Sequence, residues 1–368
     1  MIKVPFLNFA PMHLAVKAEM QNAFNNVYNS YWYVLGKSVE LFEDQYANFS
    51  ETKYCIGLSN GLDALHLALL ACDIKEGDEV IIPSNSYIAT TLAVTRVGAT
   101  PIFVEPNINT YNIDVSKIQD AITTKTKAII PVHLYGLSCE MKSINEIAKA
   151  NNLFVIEDNA QAHGAKYNDK LTGSWGHLNA TSFYPGKILG ALGDAGALNT
   201  DNLKFAEKTR VLRNYGSQKK YYNETIGYNM RLDEMQAAFL SVKLKYLKNW
   251  ILDRQKIASW YNESLYQVGD LSLPKINLGS THVYHLYVIR TKKRDELQSY
   301  LNKHRVETLI HYPIPVHLQE AYKFLGHKKG DFPICELIAN TCLSLPLWPG
   351  MTRNDVNYVT SVIKSFYN

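Results

Sequence analysis

At 368 residues, with 46% hydrophobic and 20% charged residues, the chain has the length of two or three domains and the composition of a soluble globular protein with a sizeable core. Its formal net charge of +4 is small and dispersed, which argues against nucleic acid as a partner, and a basic run such as RTKKR (Arg290–Arg294) reads as a solvated helix start. No apolar run approaches the roughly 18 residues of a membrane span and no signal pattern opens the chain; five widely spaced cysteines without C-x-x-C read as reduced thiols of a cytoplasmic protein.

From about residue 55 short β-branched runs alternate with helical stretches. KYCIGLS leads into NGLDALHLALLAC, whose Leu62, Leu65, Leu69 and Leu70 recur at helical spacing. DEVIIPS reads as a buried strand, YIATTLAVTRVG as a helix closed by Gly98, and TPIFVE as a strand. KAIIPVHLYG (strand), MKSINEIAKANN (helix), LFVIED (strand) and NATSFYP (strand) follow. This alternation indicates βαβ units and a mostly parallel sheet with helices on both faces. The texture then changes to one long helical pattern from Arg231 to Val268, with a break expected near Lys248–Trp250. A smaller α+β unit closes the chain: VYHLYVIR as a strand, KRDELQSYLNKH as a helix, VETLIHYP as a strand, and helices over Pro333–Cys342 and Arg353–Phe366. The expected division is 1–245 for the large α/β domain and 246–368 for the small one.

In a parallel sheet, ligands gather at the carboxyl ends of the strands. Two residues are expected there. Asp158 ends the apolar strand VIED, and a buried carboxylate needs a cationic or donating partner, such as a protonated pyridine nitrogen. Lys187 leaves its strand through FYPGK, whose aromatic and apolar flank would desolvate the amine and lower its pKa toward nucleophilic use. The run after it, GKILGALGDAGAL, is read as a loop of small residues. Its glycines fit neither a Walker A nor a dinucleotide-binding spacing, because Ile188 stands where Ser or Thr should and the pattern is G-x-x-G-x-x-G. SNGLDAL places Gly61 and Leu62 at a helix entry, where free N–H groups and the macrodipole favour an anion, although a plain helix cap explains it equally well. Ser182 could add a hydroxyl. Tyr87 could stack on an aromatic ligand or simply staple its own helix, and Gln161 could reach the same ligand as Asp158.

Taken in order, SNGLDALHLAL, EDNAQAHGA, SFYPGKILGALGDAGA and GYNMRLDEMQAAFL resemble the DegT/DnrJ/EryC1/StrS sugar aminotransferases, which are pyridoxal-phosphate enzymes of fold type I, the aspartate aminotransferase-like class. The resemblance runs from VPFLN to the last helix. It implies Lys187 as the residue that joins the cofactor aldehyde and later shuttles a proton, with pyridoxamine phosphate as the alternate cofactor form. It implies Asp158 against the pyridine nitrogen, Gln161 at the ring hydroxyl and Tyr87 stacked on the ring. The Gly61 and Leu62 amides and Ser182 would hold the phosphate. Asn229, in GYNMR, would complete that phosphate site from the neighbouring subunit of a homodimer. His133 and His163 would be structural neighbours of the cofactor, and no catalytic metal is expected.

Members of this family move an amino group from glutamate to a nucleotide-linked keto sugar. YPGK resembles the 3-amino enzymes, since Tyr184 stands where C4-aminating members more often carry His. The expected reaction is therefore amination at C3 of a dTDP-linked 3-keto-6-deoxyhexose for a surface glycan, with C4 amination of a dTDP or UDP sugar as the alternative. Tyr184, Arg231, His311, Tyr312 and His317 are the expected sugar contacts, with a packed structural role equally open for the histidines and Tyr312. A dehydrase of the same family would carry His in place of Lys187. A non-enzymatic regulator would be expected to lose Lys187, Asp158 or the Asn229 motif.

Overall fold

A computed structural model describes residues 3–368. Seven strands build the main sheet: β1 (Tyr54–Leu58), β2 (Glu79–Pro83), β3 (Thr100–Val104), β4 (Thr126–Ile129), β5 (Phe154–Asp158), β6 (Leu178–Ser182) and β7 (Gly196–Thr200). Their order is β1-β7-β6-β5-β4-β2-β3. The run from β6 to β3 is parallel, while β7 lies antiparallel between β6 and β1.

Pleating explains why these strands read as continuous apolar runs: both faces are buried, so alternate residues enter different cores. Val80, Ile82, Ala128 and Ile156 join one core. The helices that cover that face are α3 (Gly61–Ala71), α4 (Ile88–Arg96) and α6 (Leu203–Leu212), with Leu65, Leu69, Val94 and Ala206 in the same core. Ile81, Ile129 and Val155 face the other way, against Met141, Ile144 and Ala148 of α5 (Met141–Ala150). Three helices precede the sheet: a short one over Ala10–Ala15, then α1 (Lys17–Ser30) and α2 (Lys37–Phe49).

After the sheet come α7 (Glu234–Leu244) and α8 (Leu247–Leu265). The long helical pattern thus starts at Glu234 rather than Arg231, and it breaks at Lys245–Tyr246, a little before the expected place. Residues from Ile257 to Ile363 form a separate apolar core around an antiparallel pair, β8 (Tyr287–Arg290) and β9 (Cys342–Leu345), with α9 (Arg294–Lys303) and α11 (Arg353–Tyr367). Val4 joins this core from the other end of the chain.

Three readings are corrected. VETLIHYP is not a strand; it makes only isolated bridges, Val306 to Val4 and Leu309 to Ser344. Pro333–Thr341 is helix α10, and Cys342 belongs to β9. The last part of the supposed glycine loop is strand β7. A Cβ at Gly196 would lie 2.4 Å from the carbonyl of Asn60, so glycine is required by close backbone packing against the start of α3.

Candidate active site

At the carboxyl ends of β5 and β6 the chain encloses a cavity of about 890 Å³. Of the residues singled out in the sequence, Gly61, Leu62, Tyr87, Asp158, Gln161, Ser182, Tyr184, Lys187, His311 and Tyr312 line it.

Topology brings the two ionisable groups together. β5 and β6 are parallel neighbours, so Asp158 at the end of one lies beside the exit from the other, five residues before Lys187. Asp158 is 7% exposed. Its Oδ2 accepts from Thr90 Oγ1 at 2.8 Å and its Oδ1 from the Ala160 N–H at 3.2 Å. Burial raises its pKa above the usual carboxylate range, against the opposing pull of these donors and of Lys187 and His133. Lys187 is half-buried, and among the described residues its amine has no hydrogen-bond or ion-pair partner. Desolvation lowers its pKa to about 8, with Asp158 pulling the other way.

The floor of the site is a helix start. Asn60 caps α3 by accepting from the Asp63 N–H, which leaves the Gly61 and Leu62 N–H groups available at the positive end of the macrodipole. A Cβ at Gly61 would sit 2.6 Å from that of Ser182, so the glycine lets the helix start close on the end of β6. Gln161 is fixed from both sides: its Oε1 accepts from the Tyr135 N–H at 2.7 Å and its Nε2 donates to the Tyr312 hydroxyl at 3.2 Å. Tyr87 is 55% exposed and its ring leans on Tyr312 at 5.3 Å between centroids. His311 bonds Ser344 Oγ through Nδ1 at 2.8 Å, and burial together with Lys187 lowers its pKa to about 4.

Three expected contacts lie elsewhere. His317 is 1% exposed, bonds Glu336 at 3.1 Å and packs on Phe332 and Phe103; it is a core residue, and the substrate role read for it is corrected. Arg231 does not line the cavity of its own chain, and its Nη1 donates to Asn214 Oδ1 at 3.2 Å. Asn229 is exposed and bridges Asn214 through the backbone. His133 is buried on Glu157 and His163 on Thr181, and neither lines the cavity. Sequence reading missed Thr90, Arg254, His285 and Glu307, all of which line it. Only Thr90 had a signal, three residues after Tyr87 in the first turn of a helix.

An uncommitted amine of lowered basicity, a buried carboxylate without a cation, and bare helix N–H groups fit the aldehyde, ring nitrogen and phosphate of pyridoxal phosphate. The fold and this donor set define a pyridoxal-phosphate-dependent aminotransferase of fold type I. The profile of the DegT/DnrJ/EryC1/StrS aminotransferase family matches residues 15–364, and the chain belongs to that family. It is 51% identical over 363 residues to the dTDP-3-amino-3,6-dideoxy-alpha-D-galactopyranose transaminase of Aneurinibacillus thermoaerophilus, covering 99% of each chain. The crystal structure of S. venezuelae DesV in complex with a ketimine intermediate superposes with a TM-score of 0.98 at 42% identity, covering 100% of this chain and 99% of that one. That of ntda from Bacillus subtilis with bound cofactor PMP gives 0.91 at 33% identity, covering 99% of this chain and 86% of that one.

Proposed function

We propose that the protein transfers the amino group of L-glutamate to C3 of a dTDP-linked 3-keto-6-deoxyhexose, giving a 3-amino-3,6-dideoxy sugar for a surface glycan in the cytoplasm. The observation that carries amino transfer is the pairing of uncommitted Lys187 with buried Asp158 at one cavity wall. The activity named for the Aneurinibacillus relative supports C3, dTDP and the deoxy sugar.

When bound, pyridoxal phosphate supplies an aldehyde for the donor's amine and a ring that withdraws electrons from the reacting carbon. In this reading the Gly61 and Leu62 N–H groups and Ser182 hold the phosphate, Tyr87 covers the ring, and Gln161 meets its hydroxyl. Asp158 keeps the ring nitrogen protonated, helped by a low-dielectric setting that strengthens the pairing. The Lys187 amine would hold and move the proton at the donor's amine-bearing carbon. Tyr184, His311 and Tyr312, which line the same cavity, would orient the sugar.

We place the active form as a homodimer with shared sites. Phe24, Tyr28, Tyr31, Trp32 and Tyr33 expose an aromatic surface, which favours a protein partner, and Asn229 and Arg231 are not committed to their own chain's cavity. The division at residues 245/246 belongs to the same reading, supported by the separate core beyond Ile257. The test is incubation of the holoenzyme with glutamate and a panel of dTDP- and UDP-linked 3-keto and 4-keto sugars, with the aminated product read by mass. Turnover of a dTDP 3-keto sugar is expected. Exclusive turnover of a 4-keto sugar would overturn the carbon assignment.

A further inference from the structure

Arg254, on α8, is 1% exposed and lines the cavity with His285 and His311. Its Nη1 donates to the carbonyls of Tyr284 (3.1 Å), His285 (3.3 Å) and Leu347 (3.4 Å). Its Nε is buried without a partner, and among the described residues no carboxylate pairs with it. A guanidinium keeps its proton in proteins, and burying it without an anion is costly. Backbone carbonyls offset only part of that cost.

His285 stands beside it with a second uncommitted group. Its Nδ1 is buried and unpartnered. Burial, with the positive charges of Lys187 and Arg254 and with His311 and His163 nearby, holds its pKa well below the usual value, so the ring is neutral and one nitrogen carries a proton to donate. Three carboxylates line the same cavity and none pairs with Arg254: Asp158 accepts from Thr90 and Ala160, Glu307 from the Phe6 N–H at 3.0 Å, and Asp194 is exposed. The inner wall next to Lys187 is therefore built for an anion that the chain itself does not supply.

Building on the aminotransferase reading above, we propose that Arg254 and His285 form the subsite for the carboxylate attached to the amine-bearing carbon of the amino donor. Proximity selects this anion over the sugar's diphosphate. That carboxylate is one bond from the carbon whose amine must reach the cofactor, so its receptor has to adjoin Lys187. A diphosphate on the anomeric oxygen is separated from the sugar's C3 by the ring, and its receptor lies further out. Nη2, which has no partner among the described residues, is left to donate a charge-assisted bond to a carboxylate. Truncating the subsite therefore acts on the donor while sparing the sugar nucleotide.

The experiment is calorimetric titration of the pyridoxal-phosphate holoenzyme with 2-oxoglutarate, which has the donor's carboxylates but no amine to transfer, and separately with the aminated sugar nucleotide. Arg254→Lys and His285→Gln are compared with wild type. His285→Gln removes no side-chain hydrogen bond within the chain, so it carries the test if Arg254→Lys fails to fold. Each variant is expected to weaken 2-oxoglutarate about tenfold or more, the order expected for a displaced charge-assisted bond, and to leave the sugar nucleotide within about twofold. The same loss should appear with pyruvate, which keeps only the carboxylate next to the keto carbon. Unchanged 2-oxoglutarate binding, equal weakening of both ligands, or a loss confined to 2-oxoglutarate and absent with pyruvate would each overturn the assignment. If wild-type enzyme moves no nitrogen from glutamate, the donor reading falls and the subsite with it. If it does and the variants bind normally, only the subsite falls.

Discussion

Glu157 and Asp158 are adjacent carboxylates on β5, both buried, and the pleat sends them to opposite faces of the sheet. Glu157 shares a face with Val155. It accepts from the N–H groups of Gly173 (2.8 Å), Trp175 (2.6 Å) and Gly176 (2.7 Å), and from His133 Nε2 at 2.7 Å. His133 Nδ1 accepts from the Cys139 N–H, which fixes the tautomer so that Nε2 donates. Asp158 shares a face with Ile156, receives only Thr90 and Ala160, and lines the cavity. The difference teaches where to look for chemistry. A buried charge with every lone pair engaged holds the fold, whereas one left under-coordinated at a cavity wall is held ready for a ligand.

The largest expected effect breaks the functional side at its nucleophile. Lys187→Ala should reduce amino transfer by about 10³-fold or more in a coupled assay, since on the proposed function it removes both the cofactor's attachment and the proton carrier, while the melting temperature stays close to wild type. Asp158→Asn should keep the cofactor bound, as judged by its absorbance, yet slow the chemical step by on the order of 10²-fold, about 3 kcal/mol. Glu157→Gln reverses the pattern. Loss of charge in a site built from four donors should cost roughly 2 kcal/mol in denaturant unfolding and leave kcat within about threefold. Equal catalytic losses for both carboxyl variants would erase the contrast.

Much of this contrast was legible in the sequence. LFVIED announces a strand buried on both faces, and its terminal acid falls where parallel sheets bind ligands. The rest depended on partners brought in from far along the chain. His311 and His317 look alike in HYPIPVH, yet one lines the cavity and the other is buried on Glu336 of α10. Arg254 sits in a long helix, and only the loops of Tyr284, His285 and Leu347 make it a cavity residue. β7, read as a loop, has little apolar signal in GALNT, because its place is set by packing against Asn60. Helix α2 did carry a pattern, with Val39, Phe42 and Tyr46 buried at helical spacing, but it precedes the alternating region that organised the reading.

Smaller effects sharpen the picture. Lys187 has a pKa lowered to about 8, so its neutral, reactive form is the minor species below that pH. Binding of pyridoxal phosphate to the apoprotein should therefore quicken about tenfold per pH unit below 8 and level off above it, in stopped-flow absorbance. Lys243 also has a pKa of about 8, but it donates to the Gly190 carbonyl away from the cavity and gives no such signal. For the shared site, Lys187→Ala and Asn229→Ala chains are mixed. Hybrids with both lesions in one site and none in the other should regain up to about half of wild-type activity per dimer. Activity no greater than the sum of the two parent homodimers would place Asn229 in its own chain's site.

On the proposed function, Lys187 and Asp158 serve amino transfer to C3 of a nucleotide-linked keto sugar. The most direct measurement follows isotopically labelled glutamate nitrogen into the sugar by mass and NMR, with wild-type and Asp158→Asn enzymes side by side. Label at C3 of the sugar, arriving on the order of 10²-fold more slowly in the variant, is the predicted result. Label at another carbon, or arrival at equal rates in the two proteins, would contradict it.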